Sequence, residues 1–178
     1  MRHKTEKISI TELVNSSGCF DLQFRKDTRH ERTGSPTYYR WKTQFIITLQ
    51  KSKIKTLQKV AHTLGCGNVT TVGNQSRFSV QNIDEISNVV IPYFTKHPLA
   101  GDPPSHEASA RQGKKKDFSV WQKAAVIVHK NKGKKISMWG KNDLASLVEL
   151  HKLSKQYKGT IKTGKWMDMA KMLTKKTA

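Results

Sequence analysis

Two stretches of strict alternation constrain the fold of this chain more than anything else in it. Between Gly18 and Arg25 apolar and polar residues take turns, with Phe20, Leu22 and Phe24 at one parity and Asp21, Gln23 and Arg25 at the other. The pattern returns in YYRWKTQFIITL, where Tyr39, Trp41, Thr43, Phe45 and Ile47 oppose Arg40, Lys42 and Gln44. Successive side chains of a strand point to opposite faces, so both runs are half-buried strands with one apolar and one polar face. The intervening RKDTRHERTGSP is basic and punctuated by Gly34 and Pro36, which makes the pair a long-looped antiparallel hairpin.

Helical spacing surrounds these strands. ISITELVNSS reads as a short helix running straight into the first strand, and KSKIKTLQKVAHTLG places Ile54, Leu57, Ala61 and Leu64 on one stripe, with Gly65 to Gly67 as the stop. A second hairpin is expected from Val69–Val72 and Arg77–Gln81 around Gly73-Asn74. Asn82 then caps a helix carrying Ile83, Ile86, Val90 and Phe94, which Pro92 shortens or kinks. The Pro-, Ser- and Lys-rich segment over 100–116 reads as an exposed basic loop, and a helix with Phe118, Trp121, Ala125 and Val128 inward starts at Asp117. Two further helices are expected at about Lys141–Gln156 and Gly164–Leu173. The class is α+β: a four-stranded antiparallel sheet with helices packed on one face, plus C-terminal helices. Of the 178 residues, 1–131 form the α-β-β-α-β-β-α domain and 132–178 a basic helical extension.

Charge decides the class of partner. Lys and Arg number 33 against 13 Asp and Glu, a formal net charge of +20. The cations are spread over strands, loops and helices instead of lining one amphipathic face, which favours nucleic acid over a membrane surface. No apolar run approaches the about 20 residues of a membrane span, and Met1 to Lys7 have no apolar signal region. Cys19 and Cys66 stand apart, and the His residues show no zinc-ligand spacing, so neither a structural metal nor a cofactor is expected, and the compartment is a reducing one.

Four motifs in order carry a family resemblance. ITELVNSSGCF, LGCGNV, NVVIPYFTKHPL and KKKDFSVWQKAA lie where a single-motif LAGLIDADG homing endonuclease has its signature helix with the following Gly-x-Phe, its turn after the second helix, its Ile-Pro-x-Phe helix and its Asp-Phe-x-x-Trp helix. The chain resembles that family from Ile8 to Asn131. The resemblance implies an acidic metal ligand just before the Gly of the signature helix, where this chain has Ser17, and a second acidic position, where it has Asn15. A neutral hydroxyl does not replace a carboxylate as a charged hard-cation ligand. Where the family has small residues that let two signature helices pack together, this chain has Thr11 and Glu12, which disfavours a homodimer.

Taken alone, the sequence therefore predicts a protein that is not an enzyme and that holds structured RNA, ribosomal RNA foremost, among neighbouring ribonucleoprotein proteins in a mitochondrion, possible organelle encoding included. An RNA-splicing maturase, an active magnesium-dependent homodimeric DNA endonuclease and a non-cutting DNA binder are the alternatives, and a plastid is the alternative compartment. The expected contacts are Arg25, Lys26, Arg29, Arg32, Arg40, Lys42 and Arg77 around the polar sheet face, with Tyr38 stacking on a base. Gln23, Gln44 and Gln81 stand as readers of base edges. Lys114, Lys115 and Lys116, then Lys130, Lys132, Lys134 and Lys135, are expected to grip phosphates from flexible segments.

Overall fold

The Ser9 hydroxyl accepts the Glu12 amide N–H at 3.4 Å and starts α1, Ile10–Ser17, whose Ile10 and Val14 are buried one turn apart. The acid in the first turn suits the helix dipole. This computed structural model describes residues 9–28, 37–99, 109–157 and 166–176. Strands β1 (Gly18–Thr28), β2 (Thr37–Gln50), β3 (Asn68–Val72) and β4 (Gln75–Val80) make one antiparallel sheet in the order β1-β2-β4-β3. By contacts the chain divides into two compact units: residues up to Cys19 with Phe45–Lys115, and Phe20–Gln44 with those from Lys116 onwards.

In the first unit, β2 and β4 pair with Phe45 opposite Val80 and Ile47 opposite Phe78, all four side chains buried. Phe45 meets Phe78 edge-on at 6.0 Å and Phe94 at 5.4 Å, the geometry that aromatic quadrupoles favour. Helix α2, Ile54–Leu64, lays Leu57, Val60 and Leu64 on β3 and β4 and stops at Gly65. The β3–β4 hairpin turns at Gly73, whose φ of 58° needs glycine, while Asn74 stays at negative φ, as in a type II′ turn. Arg77 faces out, opposite Thr48 on one side and Thr70 on the other.

The Asn82 side chain accepts the Asp84 amide at 3.0 Å, as the sequence implies, and opens α3 (Ile83–Glu85). A π turn over Ile86–Val90 follows before α4, Ile91–Lys96. The Ile91 N–H reaches back five residues to the Ile86 carbonyl, and the proline that lacks an N–H comes next. The wider turn accommodates the Pro92 ring without ending the helix, so the expected shortening becomes a π-bulge.

In the second unit, the part of α5 (Ser109–Lys130) from Lys116 onwards, α6 (Lys141–Tyr157) and α7 (Met167–Lys176) supply the partners of the inward strand residues. Phe20 lies 5.1 Å from both Phe118 and Trp121, and the buried Trp121 indole N–H donates to the Asp21 carbonyl at 3.1 Å. Phe24 stacks on Tyr39 and tilts onto Trp41, which meets His151 of α6; Tyr39 meets Trp166 just before α7. The basic loop expected over 100–116 is helical from Ser109, so the helix start at Asp117 is corrected. Arg111, Gln112 and Lys114 to Lys116 are strong helix formers, and only Gly113 opposes them. Residues 100–108 lie outside those described.

Candidate nucleic-acid interface

The alternation that buries Phe20, Leu22 and Phe24 turns Asp21, Gln23, Arg25 and Asp27 of β1 the other way, as it does Tyr38, Arg40, Lys42 and Gln44 of β2. On this outer face Asp27 is the organiser. Its two carboxylate oxygens meet the Arg25 Nε at 3.7 Å and the Arg40 Nε, and the two arginine side chains stay 44% and 50% exposed. Both guanidiniums approach the carboxylate through Nε, so their terminal nitrogens remain to receive phosphate oxygens. Tyr38 is exposed beside them and Lys42 is half-buried.

Several expected contacts fall elsewhere. Lys26 has the opposite strand parity and sits over the Trp166 ring at 5.4 Å, where it makes a cation–π contact. Gln23 and Gln44 both donate their side-chain amides to Asp21, and Gln44 is buried, so neither reads base edges in this arrangement. Gln81 is exposed after β4. Arg29 and Arg32 lie outside the described residues. Lys114, Lys115 and Lys116 occupy a helix, where successive residues diverge by about 100°, so they do not act as one flexible cluster. Lys130 ends α5 and pairs with Asp143 at 3.0 Å, while Lys132, Lys134 and Lys135 are exposed in the turn that follows. The Asn131 amide donates to Asp143 at 2.9 Å, and this bond, helped by Lys130 and Lys134, holds the Asp143 carboxyl below its ordinary value.

The end of α1 is the other place the sequence singles out. Gly18 continues directly from the helix into β1, and an added Cβ there would lie 2.7 Å from the Val14 Cγ1 and 2.8 Å from the Val14 backbone. Only glycine lets the strand leave so close to the helix. Around this junction stand Asn15, Ser16 and Ser17: the Ser16 hydroxyl donates to the Leu13 carbonyl at 3.1 Å and lies 3.3 Å from the Ser17 hydroxyl, and the buried Asn15 Oδ1 has no partner. Lys114 crosses 96 positions of sequence to donate its ammonium to the Gly18 carbonyl. A divalent metal does not fit this donor set. The tip offers one neutral amide oxygen and two hydroxyls, an ammonium of the same sign as the metal is bonded to the adjoining Gly18 carbonyl, and among the described residues no three His, Cys, Asp or Glu side chains gather to hold an ion.

Two of these features escaped the sequence reading. Asp27 shares strand parity with Arg25, so the pattern held a signal for that pair. For Lys114 at Gly18 it held none, because a helix read as loop has no defined face.

Comparison with known proteins places the geometry. A LAGLIDADG endonuclease family model matches residues 11–103, just over half of the chain. The probable intron-encoded endonuclease 3 of Neurospora crassa is 29% identical over 94 residues, 52% of this chain and 16% of that protein, so the chain spans about a sixth of this curated relative. The homing endonuclease I-TnaI superposes with a TM-score of 0.63 at 18% identity, covering 95% of both chains. The I-LtrWI LAGLIDADG homing endonuclease, solved bound to its target DNA, gives 0.62 at 17% identity, covering 85% of this chain and 45% of its own. The expectation drawn from Ser17, that the chain is not an enzyme, does not stand against these findings, because the matching family and the relatives are endonucleases. An α1 helix running through glycine into an antiparallel sheet with helices on one face, matched by the family model over most of that region, identifies the chain as a member of the LAGLIDADG endonuclease family.

Proposed function

We propose that the chain is a homing-endonuclease unit that works on duplex DNA, and that the outer face of β1 and β2 grips the DNA backbone. The observation that carries this is the fixed pair of half-exposed guanidiniums, Arg25 and Arg40, held by Asp27 on a strand face whose opposite side is core. Lys42 and Tyr38 extend that face. In the same unit the exposed Lys116, Lys132, Lys134 and Lys135 add sequence-independent phosphate contacts, and in the other unit Arg77 and Lys115 are exposed cations of the same kind. The DNA-bound state of I-LtrWI and of a second LAGLIDADG neighbour, I-CpaMI, supports DNA over the structured RNA that net charge alone suggested.

The match spans 45% and 41% of those two neighbours' own chains, which supports reading the matched region as one of two such units in a cutting assembly. Glu12, exposed on α1, opposes self-pairing through that helix, since two facing carboxylates would each need a partner. The second unit is accordingly a non-identical one. The intron-encoded relative supports an organellar gene context, the mitochondrion first.

Selection from a randomised duplex pool, followed by competition with ribosomal RNA, tests the reading. A recurrent duplex motif that RNA displaces poorly is the expected result. A pool with no recurrent motif, and tighter binding to ribosomal RNA, would overturn it in favour of a ribonucleoprotein role.

A further inference from the structure

We infer that the open edge of β3 is a docking site for an extended, acidic segment of a protein partner, which adds to the sheet as a further strand. The inference goes beyond the DNA reading and does not depend on it. In the order β1-β2-β4-β3, β3 pairs among the described strands with β4 alone, through successive pairs from Asn68↔Ser79 to Val72↔Gln75 with no bulge. An open strand edge is a template for another chain, and folded proteins ordinarily guard it with charge, proline or a bulge. NVTTV has none of these guards. All its residues but Asn68 are β-branched, and Val72 is 81% exposed. The strand at the other end of the sheet, β1, carries Asp21, Arg25, Lys26 and Asp27 instead.

The hairpin decides which backbone groups face that edge. A two-residue turn at Gly73-Asn74 makes Val72 and Gln75 the closing hydrogen-bonded pair, so Val72 and Thr70 direct their N–H and C=O groups toward β4. Those of Val69 and Thr71 point the other way. The 3.0 Å contact between the Thr71 and Ser76 hydroxyls agrees, because side chains come closest in the pairs that exchange no backbone bonds. Val69 and Thr71 thus offer alternating donors and acceptors with the period of an antiparallel ladder, which is what strand addition requires.

Charge selects the occupant. The unbroken run from Phe45 to Ile83 contains no Asp or Glu, while Lys51, Lys53, Lys55, Lys59 and Arg77 in it are all exposed. Three contacts place this charge around β3. The Lys51 amide donates to the Asn74 carbonyl at 3.0 Å, which ties the turn leading into α2 to the hairpin; α2 itself packs on β3 and β4; and Arg77 stands directly opposite Thr70. The acids that follow, Asp84 and Glu85, belong to α3, and the Glu85 carboxylate acts on the Cys66 thiol just before Asn68. The partner's carboxylates therefore lie toward the Gly73-Asn74 end of the edge. A second copy of the chain fits badly, since it would bring the same cations and a further net charge of +20.

The test uses the full chain and two fluorescein-labelled peptides of alternating valine and glutamate, one of them N-methylated at its central residues so that neither edge can pair. The two carry the same charge, so they separate strand addition from simple attraction. The wild-type chain is expected to bind the unmethylated peptide at least about tenfold more tightly than the methylated one. Thr71→Pro removes an N–H from the open edge and none from the β4 ladder; it should weaken peptide binding about fivefold or more, with circular dichroism and duplex affinity unchanged. Lys51→Glu/Lys53→Glu should weaken it as well. Failure of the wild-type chain to bind the unmethylated peptide, equal affinity for the two peptides, or full peptide affinity in a folded Thr71→Pro overturns the inference. A Lys51→Glu/Lys53→Glu chain that loses affinity for ribosomal RNA or duplex while keeping that for the peptide also overturns it, and assigns those cations to nucleic acid. Where Thr71→Pro fails to fold, the comparison of the two peptides on the wild-type chain decides alone. The DNA reading of the β1 and β2 face stands or falls separately, on duplex binding.

Discussion

Replacing Arg25 and Arg40 together by glutamine removes both guanidiniums from the outer face while leaving Asp27 in place. The two side chains are 44% and 50% exposed, and pairs at such positions contribute about 0–1 kcal/mol each, so the fold is expected to survive with little change. Binding should change much more. Each phosphate contact contributes about 0.9 to the slope of log affinity against log salt, so losing two flattens it by about 1.8. Over a fourfold rise in salt, that difference alters the ratio of wild-type to variant affinity about 12-fold. Asp27→Asn acts in the opposite sense, because it removes the carboxylate that competes with phosphate for both arginines: the slope should steepen and low-salt affinity should rise. Anisotropy titrations on one duplex, from low to physiological salt, measure all three proteins. A double variant with the wild-type slope, its circular dichroism unchanged, would refute the assignment of DNA to this face.

Other expectations follow from packing and titration. Trp121→Ala deletes a fully buried ring that contacts Phe20 and Phe118 and removes the donor from the Asp21 carbonyl; a loss of about 3–5 kcal/mol in urea unfolding is expected. Gly18→Ala forces a methyl against Val14 and should cost about 1–3 kcal/mol, with only part recovered in Gly18→Ala/Val14→Ala, because the Val14 backbone also stands 2.8 Å from the new carbon. Burial, and secondarily the Glu85 carboxylate, push the Cys66 thiol from 9.0 up to about 11. Alkylation by iodoacetamide at pH 8 should therefore be ~100-fold slower than that of an unfolded control. Because the folded value is the raised one, this group's contribution to stability is complete below pH 9 and is lost as pH rises through about 11. Sedimentation of the isolated chain should show a monomer, and a stable dimer abolished by a change at α1 would contradict the role given to Glu12.

The sheet was legible because period-two alternation leaves little freedom. Once Phe20, Leu22 and Phe24 are inward, Arg25 must be outward, and the same logic fixes Trp41 against Arg40. Residues at the margins of the pattern were not legible. Lys26 follows Arg25 in a basic run that looks uniform, yet parity sends it to Trp166, a residue 140 positions away. Gln23 and Gln44 looked like readers of bases, but a buried carboxylate at position 21 draws both amides. The helix over 109–116 was obscured by Gly113 and by the prolines upstream, and with it a cation, Lys114, that reaches the α1–β1 junction. Net charge announced a polyanion without distinguishing RNA from DNA, since counterion release depends on phosphates and not on the sugar. Ser17 is a weak sign of class: one position describes the chemistry of a tip, while membership of the family rests on the run from 11 to 103.

The claim that the outer face of β1 and β2 carries duplex DNA is tested most directly by photo-crosslinking the full chain to a duplex bearing a photoreactive base and sequencing the attached peptides. Crosslinks at Tyr38 and at the peptides around Arg25 and Arg40 are the predicted result. Crosslinks confined to α6 and α7 would contradict the account and move the interface to the C-terminal helices.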